Sequence, residues 1–151
     1  MDEIQNIMVA VDFSDYSINA VRYAMKMAGD VKASILLVNV VNQKEIDAAK
    51  KIASEYQAFD MQKYIQDTVS FRKKEFERII AECGSSVPNI KTSIRIGVPY
   101  EELLKEIDEK QPDLLIMGTK GRTNLVDTII GSCTQKMFRR CTIPLLILRN
   151  H

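Results

Sequence analysis

Five short runs dense in aliphatic and β-branched residues are separated by longer stretches whose apolar residues recur three or four apart. This alternation restricts the fold more than any other property of the chain. The runs are Ile4–Val11 (IQNIMVAV), Ala33–Val41 (ASILLVNVV), Asn89–Ile96 (NIKTSIRI), Leu114–Met117 and Ile143–Leu148. The second is apolar nearly throughout, as a parallel strand covered on both faces should be. The third alternates with polar residues and reads as a strand nearer a sheet edge.

Between the first two runs, Ser14 is placed to cap a helix over about Asp15–Ala28, with Val21, Ala24, Met25 and Ala28 as its apolar stripe and Gly29 as its C-cap. Gln43–Cys83 contains no glycine or proline and reads as two helices or one bent helix, broken near Gln57–Asp60. Its apolar stripe is Met61, Ile65, Thr68, Phe76, Ile79, Ile80 and Cys83, and Arg72-Lys73-Lys74 reads as a solvated helix face. Pro99 followed by Glu101 and Glu102 opens a further helix that buries Leu103, Leu104 and Ile107. A last helix spans about Ser132–Arg140, its C-terminal Arg139-Arg140 suiting the helix dipole. The order β-α-β-α-β-α-β-α-β implies a parallel sheet with helices on both faces and right-handed crossovers. With 151 residues and neither linker nor repeat, residues 1–151 are expected to form one domain.

In such sheets ligands bind beyond the carboxyl ends of the strands, where strand order reverses. Two segments with distinctive chemistry leave carboxyl strand ends: Asp12 after the first strand, and MGTKGRTNLVDTIIGS (117–132) after the fourth. Three of the chain's six glycines fall in the second segment, at Gly118, Gly121 and Gly131. Glycines there let backbone N–H groups converge on an anion, and Gly131-Ser132 opens a helix whose N-terminus suits a phosphate. Lys120 and Arg122 add cationic side chains. A second account needs no ligand: Gly118 is a strand-end turn, and Ser132-x-x-Gln135 is a capping box. The segment is neither the G-x-x-x-x-G-K-[ST] phosphate loop nor the dinucleotide G-x-G-x-x-G pattern.

Other chemistry is sparse. The only histidine is His151, which removes most histidine acid–base catalysis and most transition-metal sites. Cys83, Cys133 and Cys141 match no zinc spacing and, as an odd set, no disulfide framework, so a reducing, cytoplasmic compartment is expected. Cys133 at a helix start is a thiol whose pKa such a position would lower, although a small packing residue is the plainer reading. A net charge of +1 gives no basic stripe for nucleic acid. No apolar run reaches the roughly 18 residues of a membrane span, and the acidic start Met1-Asp2-Glu3 lacks the pattern of a secretory signal.

The spacing Gly118-x2-Gly121-x9-Gly131-Ser132 matches the G-x2-G-x9-G-[ST] nucleotide-binding signature of the universal stress protein family. IMVAVDFSDYS, ILLVNVV, IRIGVPYEELLKEIDEKQPDLLIMGTKGR and GSCTQKMFRRCTIPLLIL resemble successive family segments in the family's order. The resemblance implies a three-layer α/β/α sandwich with a five-stranded, mainly parallel sheet of order 3-2-1-4-5. It implies ATP as ligand, with Mg²⁺ or Mn²⁺. Asp12 would lie at the ribose and adenine side, as a candidate to reach a metal, close to Ala10, which stands where some members have proline. Val40 would offer backbone groups to the adenine, and Met117 and Gly118 would border ribose and phosphates. Gly121, Gly131, Ser132, Cys133 and Thr134 would line the phosphates, with Lys120, where many members have histidine, and Arg122 beside them. A symmetric homodimer through the apolar edge strand Ile143–Leu148 is expected, as is at most slow ATP hydrolysis. Two other readings stay open: an adenylating enzyme of the adenine-nucleotide α-hydrolase type, which Asp12-Phe13-Ser14 serves poorly, and a partner-binding domain with a vestigial site.

Overall fold

The computed structural model describes residues 3–84, 86–120 and 130–149. Along them run β1 (Asn6–Ala10), α1 (Asp15–Val31), β2 (Ser34–Asn42), α2 (Gln43–Glu55), α3 (Met61–Cys83), β3 (Ile90–Gly97), α4 (Pro99–Lys110), β4 (Leu114–Gly118), α5 (Ser132–Arg140) and β5 (Leu145–Leu148). The strands form one sheet of order β3-β2-β1-β4-β5, and every adjacent pair is parallel. The register sets Met8 of β1 opposite both Leu36 of β2 and Leu115 of β4.

Successive residues of a strand face opposite sides, and here both sides are apolar, so the sheet must be covered twice. Ile7, Val9, Ile35, Leu37, Leu114 and Ile116 pack against Ala20, Val21, Ala24, Met25 and Ala28 of α1 and Phe76 and Ile79 of α3. Their sequence neighbours Met8, Val38, Leu115 and Met117 pack against Leu103 and Ile107 of α4 and Met137 of α5. The result is the three-layer α/β/α arrangement. β3 and β5 are its edges, as read from the alternating NIKTSIRI and the terminal IPLLIL. Among the described residues no helix is long and apolar enough to cross a membrane.

Most element ends fall within a residue or two of their expected places. The long polar stretch divides into α2 and α3 at 56–60, where the side chain of Asp60 caps α3 by accepting from the Lys63 N–H at 3.2 Å. Two readings need correction. α1 does not stop before Gly29. It runs on to Val31, and Lys32 takes the left-handed conformation (φ 59°) that ends it. Gly29 instead allows a close approach, since a Cβ there would lie 2.8 Å from the Ser86 hydroxyl oxygen. Arg72 is not part of a solvated face. It is 7% exposed and lies on the side of α3 that also buries Phe76 and Ile79. Helical spacing alone puts it there, one turn before Phe76.

On the opposite face Arg95 of β3 pairs with three carboxylates of α4: Glu102 (2.8 Å), Glu106 (2.6 Å) and Glu109 (3.1 Å). This cluster fixes α4 over the β3 edge, on the face of the sheet opposite α3.

Candidate functional site at the carboxyl ends of the strands

The chain leaves β1 for β2 on one face of the sheet and reaches β4 from β3 on the other. The crevice expected of such a fold therefore opens beside β1, between β2 and β4. Four segments meet there.

The first is the β1–α1 turn. Asp12 Oδ1 accepts from the Ser14 N–H at 3.0 Å and from the Ser14 hydroxyl at 2.6 Å, while the Asp12 N–H donates to the Ser17 hydroxyl at 3.2 Å. Ser14 in turn caps α1, as its spacing predicted, accepting from the Ser17 N–H. The turn is sharp enough to put Phe13 in the left-handed region at φ 66°, unusual for a bulky residue. The Phe13 ring lies against Phe76 with centroids 5.1 Å apart, which holds the turn to the core.

The second segment is the end of β4. Gly118 keeps an ordinary backbone conformation, so no positive φ requires glycine there. A Cβ on it would lie 2.9 Å from Tyr16 Cβ and 3.0 Å from the Tyr16 carbonyl oxygen. The need is for close packing of β4 on the first turn of α1, and the expected strand-end turn does not begin until later. The Thr119 N–H then donates to the Leu148 carbonyl of β5 at 3.1 Å.

The third segment is the start of α5. The Gly131 N–H donates to the Thr119 carbonyl at 2.7 Å, and the Thr134 hydroxyl donates to the Gly118 carbonyl at 2.9 Å. Both bonds bind the first turn of α5 to the carboxyl end of β4. The N-cap is Gly131, at φ −70° and ψ 159°, and no side chain caps the helix. The capping box is thereby corrected. Ser132 is the first helical residue rather than the N-cap, so Gln135 stands one place too far along to close the box. Ser132 is exposed, and the first-turn N–H groups carry the positive end of the helix dipole.

Cys133 faces inward from this turn. Burial, and secondarily the charge of Asp12, push its thiol up to about 11 against the opposing effect of Lys136. The direction is opposite to that expected for a helix start, because desolvation outweighs the lowering effect of Lys136.

The fourth segment is the end of β2, and it holds what sequence reading missed. Buried Asn39 donates to the Val11 carbonyl at 2.7 Å and accepts from Arg72 at 2.8 Å. A single polar residue inside ILLVNVV was the available signal, since a buried amide needs partners.

Of the residues singled out from sequence, Ala10, Val40, Met117 and Cys133 converge on the one core cluster beneath the crevice. Asp12, Gly118, Gly131, Ser132 and Thr134 stand at the carboxyl side of the sheet, in the β1–α1 turn, at the end of β4 and at the start of α5, and Lys120 follows two residues after β4. Gly121 and Arg122 lie outside the described residues. Among the described residues, no three His, Cys, Asp or Glu side chains gather as a protein-only metal site requires.

A parallel sheet wound outward from β1 in both directions, with a glycine-capped helix start at its switch point, defines the open doubly wound α/β class. Within it, the chain belongs to the universal stress protein family, whose family model matches residues 3–149. It is similar to universal stress protein MJ0577 of Methanocaldococcus jannaschii, at 21% identity over 156 residues covering 96% of this chain and 94% of the relative. The solved structure of MJ0577 superposes with a TM-score of 0.80 at 23% identity, covering 99% of each chain. A universal stress protein in complex with cAMP gives a TM-score of 0.67 at 20% identity, covering 98% of each. A universal stress protein family protein from Arabidopsis thaliana with AMP bound gives 0.60 at 17%, covering 97% of this chain and 92% of that one. At these identities the superpositions speak for the fold.

Proposed function

We propose that residues 1–151 form one adenine-nucleotide-binding domain, with ATP as ligand, acting in the cytoplasm as a nucleotide-dependent stress-response or regulatory protein. The observation that carries this reading is the start of α5. A glycine N-cap in a conformation open to any residue, with no side chain capping the helix, offers backbone N–H donors at the carboxyl end of β4. An anion there completes what a side-chain cap otherwise supplies. Two family relatives hold cAMP and AMP, ligands that share the adenosine and phosphate chemistry this crevice suits.

In this reading Ser132, Cys133 and Thr134 receive the phosphates on their backbone N–H groups, with Ser132 adding a hydroxyl, while Gly131, whose own N–H is held by the Thr119 carbonyl, lines the phosphates without a side chain in the way. Lys120, Gly121 and Arg122 close the phosphate end, and Met117 and Gly118 border the ribose. Asp12 and Ala10 lie on the ribose and adenine side, and Val40 presents its backbone to the base. A divalent ion, Mg²⁺ or Mn²⁺, would neutralise phosphate charge, and Asp12 is the carboxylate placed to meet it, since such ions pair one or two carboxylates with phosphate oxygens. In this reading any hydrolysis is slow, since the segment 118–134 carries neither a histidine nor a glutamate to position water. β5 is a four-residue edge of half-buried Leu145–Leu148, and a second copy pairing there gives a symmetric dimer. Light scattering at micromolar concentration tests this, and a monomer refutes it.

The test of ligand binding is thermal unfolding of wild type and Gly131→Val with and without ATP and Mg²⁺. Ligand at about one hundred times its dissociation constant stabilises the native state by roughly 2.7 kcal/mol. That raises Tm by about 5–10 °C for a chain of this size. A shift in wild type that vanishes in the variant is the expected result. No shift in nucleotide-free protein overturns the reading.

A further inference from the structure

Arg72 lies in the middle of α3 with only 7% of its surface exposed. A guanidinium buried to this degree is strongly unfavourable unless each donor finds an acceptor. Its Nη1 donates to Asn39 Oδ1 at 2.8 Å and to the Val40 carbonyl at 3.3 Å, and its Nη2 donates to Glu45 Oε2 at 2.9 Å. The other oxygen of Glu45 accepts from the Tyr64 hydroxyl at 3.3 Å. Asn39 passes the connection on to the Val11 carbonyl. One continuous set of polar contacts thus joins α2 and α3 to the carboxyl ends of β1 and β2.

As a device for stability this arrangement is poor. The Glu45 side chain is 41% exposed, so water screens the ion pair, while Arg72 bears the full loss of its own hydration. An apolar side chain would hold α3 on the sheet at least as well. What the guanidinium does that an apolar group cannot is fix two backbone carbonyls, directly at Val40 and through Asn39 at Val11. Its planar fork suits this, because two nitrogens address acceptors on different elements at once. A carbonyl oxygen has two lone pairs, so the Val40 carbonyl keeps one for a ligand donor while Arg72 orients it.

We infer that Arg72 is a positioning residue for the base end of the nucleotide site, through which α2 and α3 set affinity for the base and respond to its presence. This rests on the nucleotide reading above, in which Val40 meets the base and α5 meets the phosphates. Among the described residues the hydrogen bonds of Arg72 go to Asn39, Val40 and Glu45, so Arg72 acts on the base end of the ligand. Coupling of this kind is reciprocal: a base that binds better when the helices are docked also docks the helices better.

The test compares two probes, Mg-ATP and Mg-tripolyphosphate, by calorimetry on wild type, Arg72→Met and Glu45→Gln. Arg72→Met is expected to weaken ATP about tenfold, the scale of one hydrogen bond to a charged group, and to leave tripolyphosphate unchanged. Glu45→Gln loses a few-fold for ATP alone. In wild type, ATP slows amide hydrogen exchange in α3 around Arg72, and tripolyphosphate does not. Unchanged ATP affinity in folded Arg72→Met overturns the inference, and so does an equal loss for both probes, which marks a merely structural role. Should Arg72→Met not fold, Glu45→Gln and the wild-type exchange pattern decide in the same terms. Wild type that binds neither probe overturns the nucleotide reading itself, a result distinct from wild type that binds ATP with Arg72 indifferent.

Discussion

Gly118 and Tyr16 meet backbone to backbone: a Cβ on the glycine would fall 2.9 Å from Tyr16 Cβ and 3.0 Å from its carbonyl oxygen. β4 and the first turn of α1 approach as closely as the polypeptide allows. The glycine is therefore demanded by the fold before any ligand arrives. Gly118→Ala is expected to destabilise the nucleotide-free protein by about 1–3 kcal/mol, the cost of overpacking a tight contact. Urea unfolding without nucleotide measures it, and an unchanged midpoint would return the requirement for glycine to the ligand.

Thr134 ties α5 to the same strand end through its 2.9 Å bond to the Gly118 carbonyl, and it is 3% exposed. Thr134→Val keeps the shape and removes the donor. The expected loss is about 1–3 kcal/mol, because a buried polar group loses its partner. Amide exchange in α5 should quicken more than exchange in α1, which the bond does not touch.

The alternation of runs was enough to read the parallel three-layer architecture, because periods of 2 and 3.6 are physical consequences of strand and helix geometry. Helix starts such as Ser14 and Pro99 were legible for the same local reason. The functions of individual glycines were not. Gly118 is glycine because of Tyr16, a residue far away in the chain, and no local pattern reports a close approach. Arg72 was misread because Arg-Lys-Lys looks like a surface run. Only the fold brings Asn39 opposite it. The glycine spacing at 118, 121 and 131 was visible, but the one-residue difference between Ser132 as N-cap and as first helical residue was not.

The Arg95 cluster gives the fold a definite acid response. The hydrogen bond from Arg95, aided by Lys105, holds the Glu102 carboxyl below its ordinary value of 4.5. A carboxyl depressed on folding contributes stability that is complete above its unfolded value and is lost as pH falls through the folded value. The wild-type urea midpoint should therefore drop below about pH 4.5. Glu102→Gln should be less stable at neutral pH yet decline less on acidification, so that the two curves converge. Parallel curves would show that Glu102 contributes nothing to the pH dependence.

Cys133 should be a poor nucleophile. With its thiol pushed up to about 11, little thiolate exists near pH 8. Iodoacetamide should label it at least about tenfold more slowly in the folded protein than in the denatured chain, read by peptide mass mapping. Fast labelling of the native protein would mean that Asp12 and burial do not govern this thiol.

The crevice is bounded by Val11 and Asp12, by Asn39 and Val40, by Gly118 and Thr119, and by Gly131 to Thr134. No two of these pairs are neighbours in the chain, and the last closes only after β4 is seated beside β1. A chain emerging from its amino end thus displays a growing sheet long before it owns a complete rim. Whatever the crevice holds can therefore be gripped from all sides only once Gly131 to Thr134 have joined the strands that precede them.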